Sequence, residues 1–232
     1  MNPLLLTVYK CPFPKKRIGN PMGDGGYIIS DIPDVQYSIF ISAGIAGDIT
    51  FEEDLCKYYQ MKCIAFDGTP CCSIKSTDSV EIVAKNIGVT NDSMNTDLKD
   101  LIQQHENIFI KMDIEGGELP WVRCLTDEQL NRFSQIVMEF HFPFSDEDKV
   151  VFEKLNKNHV LVHFHGNNCP AGVIRFKGII IPNVFECTYI HKKFVNFNTL
   201  ELNDEVIPGK LDRSNIGGID IHIDYPPFVY KK

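Results

Sequence analysis

Apolar residues along the chain switch repeatedly between a period of two and a helical period, and the switch points divide it into short elements. Turn chemistry at Asn20 to Gly26 delivers a short strand, Tyr27-Ile28-Ile29. The run Tyr37 to Ser42 is β-branched and aromatic on both faces, as a buried parallel strand is. Thr50 to Gln60 then carries a helical period, opened by Thr50-Phe51-Glu52-Glu53 as a capping box with acids in the first turn. A second strand, Met61 to Phe66, completes a β-α-β unit. Beyond it the pattern predicts a strand at Val80 to Asn86, a polar loop through Asn91-Asp92-Ser93 and a helix from Thr96 to His105. Strand Ile108 to Met112, helix Glu118 to Arg132 and strand Gln135 to Phe140 follow, then helix Asp146 to Asn158 and strands Val160 to His165 and Asn183 to Ile190. This alternation predicts an α/β, doubly wound sheet with helices on both faces.

Length and composition fit one domain: 232 residues, with an N-terminal lid or strand segment at 1–36, a core at 37–195 and a tail at 196–232 that packs on the core. A formal charge of −8 would meet a phosphate backbone with net repulsion, so nucleic acid is not expected as a partner. No apolar run reaches the length of a bilayer span, and the opening residues lack a signal-peptide pattern. The eight cysteines include no C-x-x-C, and Cys71-Cys72 are adjacent, which suits unpaired thiols in a reducing, cytoplasmic setting.

In a doubly wound sheet ligands bind at the carboxyl ends of the strands, and the polar residues of interest fall there: Asp48, Asp67, Asp113 with Glu115, and Glu139 with His141. Gly44 and Gly47 let the first β-α turn approach a ligand closely, and Asp67, about 20 residues on, is placed to accept from ribose hydroxyls. The loop is not G-x-G-x-x-G, and Asp48 stands where a pyrophosphate would want only donors. A nucleoside cofactor without phosphates fits better, and S-adenosylmethionine is the obvious one.

Ser42-Ala43-Gly44-Ile45-Ala46-Gly47-Asp48, followed by Ile110-Lys111-Met112-Asp113-Ile114-Glu115-Gly116-Gly117-Glu118, resembles the FkbM-type S-adenosylmethionine-dependent methyltransferases, in which a strand ends K-h-D-h-E-G-x-E. Arg17-Ile18-Gly19, Asp24 to Tyr27, Val137 to His141, His163 to Asn168 and Ile181 to Tyr189 extend the likeness over residues 17–191, and Pro226-Pro227-Phe228 is similar to the family's ending. The resemblance implies a class I methyltransferase fold of seven strands with the last antiparallel. It also implies O-methylation of a sugar, glycan or other small-molecule hydroxyl, with the cofactor held by Ser42, Ala43, Gly44, Gly47, Asp48, Asp67, Gly68 and Asp113. Two positions depart from the pattern: Ser42 replaces an acidic residue and Ala46 a glycine.

An alcohol is a poor nucleophile until its proton leaves, and His141 is the first candidate for the base, with Glu139 beside it. A buried histidine satisfied by a carbonyl is the alternative. Asp113 and Glu139 could hold Mg²⁺ or Mn²⁺ with His165 or His141; otherwise Asp113 caps its loop and Glu115 pairs with Arg17 or Lys111. His163, His165 and Asn167 offer donors and acceptors to acceptor hydroxyls, or simply finish a strand, while Asp24 and Tyr27 form a turn or, with Arg17, a lid. Glu186 is a lesser acid candidate. Three other functions compete: a ribose 2′-O-methyltransferase using Asp113 and Glu186, a methyltransferase-like scaffold without turnover, and, disfavoured by the glycine pattern, a nicotinamide oxidoreductase.

Overall fold

The computed structural model describes residues 2–69, 74–142, 145–168, 172–176 and 178–231, the side chains of Asp146 and Phe176 excepted. Cys71, Cys72 and Cys169 therefore lie outside the described residues, and the other five cysteines are free thiols. The elements in chain order are β1 (Lys15–Gly19), β2 (Gly26–Ser30), β3 (Phe40–Ala43), α1 (Thr50–Tyr59), β4 (Cys63–Phe66), β5 (Val80–Val83), β6 (Asn86–Ile87) and β7 (Asn95–Thr96). There follow α2 (Lys99–Gln104), β8 (Ile108–Met112), α3 (Glu118–Cys124), α4 (Asp127–Leu130), β9 (Phe133–His141), α5 (Lys149–Asn158), β10 (His159–Gly166), β11 (Val173–Phe176), β12 (Ile179–Pro182) and β13 (Val184–His191).

Seven strands form one sheet in the order β10-β13-β9-β8-β3-β4-β5. The pairs on either side of β3, and β8 with β9, are parallel, while β13 runs antiparallel to both β9 and β10. The chain winds outward from β3 through β4 to β5, then returns to lay β8 against the other side of β3. The order reverses between β3 and β8, and a crevice opens there at the carboxyl ends of the strands. A sheet wound this way, with a reversed strand inserted next to the edge, is the class I methyltransferase, Rossmann-like arrangement.

Alternation along the central strands explains the two covered faces. Ile39, Ile41 and Ala43, with Ile108, Ile110 and Met112, pack toward Trp121, Val122 and Phe152 on α3 and α5. Phe40, Phe109 and Val137 point the other way, into Phe51 and Leu55 of α1 and Tyr27 and Ile29 of β2. The β1–β2 hairpin is fastened to this second face through a buried amide. Gln135 accepts from Ser30 N at 2.6 Å and donates to Ser30 O at 3.0 Å and to Tyr37 Oη at 2.7 Å, so the backbone groups of a strand outside the main sheet are satisfied without water.

Several boundaries differ from the expected ones for local reasons. The helix expected at Glu118 to Arg132 breaks into α3 and α4 because Thr126 caps the second piece. Thr126 Oγ1 accepts from Gln129 N, and Gln129 Oε1 accepts from Thr126 N. Pro120 is tolerated because it falls in the first turn of α3. The strand expected at Val80 to Asn86 ends at Val83, and β6 starts a separate two-residue ladder with β7. The β11–β12 hairpin falls between the expected strands Val160 to His165 and Asn183 to Ile190, where the pattern predicted no element. Among the described residues, no helix is long and apolar enough to cross a membrane.

Candidate active site

The crevice between β3, β4 and β8 is a cleft of about 530 Å³ lined by Gly44, Ala46, Asp67, Gly68, Asn86 and Asp113, among others. Its floor depends on one glycine. Gly44 has φ +76°, and a Cβ there would sit 1.6 Å from the carbonyl oxygen of Asp113, so only glycine lets the exits of β3 and β8 touch. The same junction is tied by Asp113 N donating to Ala43 O at 3.0 Å and by the buried Lys111 ammonium donating to Gly44 O. Ser42 and Ala43 are fully buried beneath this floor and do not line the cleft. Ser42 Oγ donates to the buried carboxylate of Glu52 from α1, so an acid absent from the strand is supplied by the helix. Burial raises the Glu52 pKa, against the opposing pull of Lys111 and the Ser42 hydroxyl.

Asp67 organises the loop above that floor. Oδ2 accepts from Ile45 N at 3.1 Å and Ala46 N at 2.9 Å, and Oδ1 accepts from Thr69 N at 2.7 Å and Thr69 Oγ1 at 3.3 Å. A carboxylate has about four acceptor positions, and here all are taken, so a ribose hydroxyl would exchange for the longest contact, that of Thr69 Oγ1. Ala46, where the resemblance expected glycine, has φ +43°. Asp48 Oδ1 accepts from Thr50 N at the start of α1, and Gly47 stands clear of the cleft lining.

Next to the cleft, Asp113, Glu139 and His141 present ligand atoms within 4.8 Å of one another. Tyr27 Oη donates to Asp113 Oδ2 at 3.0 Å, while Asp113 Oδ1 is buried with no hydrogen-bond partner among the described residues. Burial raises the Asp113 pKa, partly offset by Lys111 and the Tyr27 hydroxyl. Glu139 is 4% exposed, and Asn167 Nδ2 donates to its Oε2 at 3.1 Å. His141 Nε2 lies 3.3 Å from Glu139 and 3.4 Å from Glu115, and its Nδ1 lies 3.4 Å from Glu118. Glu118 also accepts from Ile114 N and Gly116 N, which fixes the loop carrying Glu115, at φ +55°.

These contacts separate the two candidate bases. Burial lowers the His141 pKa, but the carboxylates of Glu118 and Glu139 overcome it and hold the ring up to about 10. Burial pushes Glu139 up to about 7, with Asp113 and Glu186 adding to the rise and His141 and Asn167 opposing it. At neutral pH His141 is an imidazolium, without a lone pair to take a proton, and Glu139 is the group whose proton affinity matches the solution. The same fact bears on a metal. A divalent ion held by Asp113 and Glu139 would take His141 as a ligand only by displacing its proton, so metal and proton compete for the ring.

His165 lies apart from this cluster. Its Nδ1 is 3.4 Å from Glu186 and its Nε2 is 3.0 Å from Asp220, and these carboxylates outweigh burial and hold it up to about 11. His163 Nε2 is 3.1 Å from Asp212, Asn168 donates to Ser214 Oγ at 2.7 Å and accepts from Asn215 N at 3.0 Å, and Asn215 bridges Glu186 at 2.8 Å and Asp24 at 3.2 Å. The polar residues at the end of β10 thus fasten a strap, 209–220, to the rim. Arg17 donates to Asn20 O at 2.9 Å and to Gly23 O, shaping the loop that meets the strap. Of the substrate candidates, Tyr27 touches Asp113 and Asn167 touches Glu139; Arg17, Asp24, His163 and His165 are engaged by chain segments. Sequence reading missed Glu52, Glu118 and the strap carboxylates. Glu118 was visible as the last letter of the motif, whereas Asp212 and Asp220 carry no local signal.

No family model matches the chain, and no curated protein matches it. Among solved structures, a Streptococcus pneumoniae protein, Sp1610, described as a candidate tRNA (m1A22) methyltransferase, aligns at 12% identity over 68% of this chain with a TM-score of 0.37, and this chain spans 66% of that one, just under two thirds. A 30S ribosomal A1408 methyltransferase from an uncultured bacterium aligns at 9% identity over 76% of this chain and 100% of its own, with a TM-score of 0.30. The expectation of a small-molecule or glycan acceptor with nucleic acid excluded is corrected by these findings, since both descriptions name RNA. The physical error lay in using the total charge of −8: phosphate contacts depend on local groups, and a sum over the surface does not report them.

Proposed function

We propose that the chain is an S-adenosylmethionine-dependent O-methyltransferase of FkbM type acting on a hydroxyl acceptor, with Glu139 as the base. The observation that carries this reading is the Asp113–Glu139–His141 cluster, with Glu139 buried, set against a cleft at the switch point of a class I methyltransferase sheet. When bound, S-adenosylmethionine supplies a methyl group activated by a sulfonium. The cleft volume lies within the range of small-molecule sites, roughly 300–1,000 Å³. Asp67, Gly44 and Asn86 would line the nucleoside end, and Asp113 belongs to both the cleft and the cluster.

Glu139 takes the acceptor proton at a carboxylate oxygen. His141 holds the negative charge of the cluster in place, and Asn167 fixes the carboxylate plane. A hydroxyl acceptor fits this arrangement because alcohol methylation needs a base and a buried carboxylate with raised proton affinity supplies one. Calorimetric titration with S-adenosylhomocysteine, followed by methyl transfer from labelled S-adenosylmethionine to RNA and to glycosides, tests the reading. Binding at one site per chain and label on an acceptor oxygen would support it. Absence of binding would sink it, and label on a base nitrogen would replace O-transfer with N-transfer.

A further inference from the structure

A larger cavity, about 570 Å³, is lined in part by the strap residues Gly209 to Asp212 and shares no lining residue with the cleft. Its walls come from the N-terminal segment through Phe13 and Lys15, from Ile28 of β2, and from the tail through Val206, Pro208 and Leu211. Val206 and Leu211 are 45% and 39% exposed, so the tail turns apolar side chains into an open space. A neighbouring cleft of about 440 Å³ shares Phe13 and adds Phe194, Val195 and Leu200, which extends the apolar surface.

The mouth is basic although the chain is acidic. Lys10 is engaged by Asp204 at 3.2 Å, but Lys15 and Lys210 have no ion-pair partner among the described residues. Glu205 is the acidic group at the rim, and Asp212 is turned to the floor, where it accepts from Gly209 N at 2.6 Å and faces His163. Two free ammonium groups above an apolar hollow match a molecule with an anionic head and an apolar body.

We propose that this cavity is a second ligand site, taking an amphipathic anion whose carboxylate, phosphate or sulfonate head meets Lys15 and Lys210 and whose body lies along Phe13, Val206 and Leu211. The proposal does not depend on the methyltransferase reading. The probe pair is 8-anilinonaphthalene-1-sulfonate and its uncharged relative N-phenyl-1-naphthylamine, followed by fluorescence on the full chain. One sulfonate should bind per chain, about tenfold more tightly than the neutral probe, and the Lys15→Glu/Lys210→Glu variant should lose that preference. Val206→Asp should weaken both probes, and saturating S-adenosylhomocysteine should leave the sulfonate bound. Equal binding of the two probes, unchanged preference in the double variant with an unchanged unfolding midpoint, or displacement by S-adenosylhomocysteine would each overturn the proposal.

Discussion

The two halves of the sheet use similar residues in opposite ways. On the β3–β4–β8 side, strand-end polar groups surround an open cleft, and one of them, Asp113, keeps a buried oxygen without a partner among the described residues. On the β9–β13–β10 side, the outer strand ends also carry polar groups, yet His163, His165, Asn168 and Glu186 are taken up by the strap at 209–220. Glu139, Asn167 and His141 stand between the two regimes. Polar residues at the carboxyl ends of strands therefore mark a rim, but only their partners tell whether the rim serves a ligand or the chain itself.

The largest effect that could break this contrast is at Glu139. Glu139→Gln keeps the hydrogen-bonding shape and removes the base, so turnover should fall by about 10²–10⁴-fold while S-adenosylhomocysteine binds within about twofold of wild type. Retained turnover would remove Glu139 from the chemistry. On the strap side, His165→Ala leaves Glu186 and Asp220 facing each other without a cation, and it should cost about 3–5 kcal/mol in urea denaturation. A loss under about 1 kcal/mol would show the strap to be weakly held.

A pH series sharpens the same comparison. His165 and His141 bind a proton more tightly folded than unfolded, held up to about 11 and about 10 from 6.5. The stability they contribute is full below about pH 6.5 and is lost as pH rises through 10 to 11. Glu139 is raised from 4.5 to about 7, so its ionisation takes stability away as pH climbs through that window, and turnover should rise across pH 7 as the base form appears. A turnover profile flat from pH 5 to 8 would contradict the assignment of the base, read against the unperturbed carboxylate range of about 4. The smallest expected effect is at Ala46, whose φ of +43° suits glycine: Ala46→Gly should raise stability by up to about 1 kcal/mol in thermal unfolding, and a loss would show that the side chain is needed in the loop.

Much of the cleft half was legible because its determinants are local. The alternation at Ile108 to Met112 defines β8 to the residue, and the glycines, Asp67 and the Lys111-to-Glu118 motif fall at strand exits. The break at Thr126 was also written locally, as a capping box beneath a continuous helical period. The strap was not legible: His165 meets Asp220 55 residues on, and Asn215 meets Asp24 191 residues back. Those histidines look like ligands in sequence because a partner at such a separation leaves no periodic trace. The proton affinity of His141 was hidden for a related reason, since Glu118 at the start of α3 and Glu139 on β9 together hold it up.

The most direct test of the central claim is a calorimetric titration of wild type and Asp67→Asn with S-adenosylhomocysteine. One site per chain in the wild type, weakened about tenfold in the variant, is the expected result, corresponding to loss of about one charge-assisted hydrogen bond. No heat with the wild type, or equal affinity in the two proteins, would contradict a nucleoside cofactor in the cleft beside Asp113.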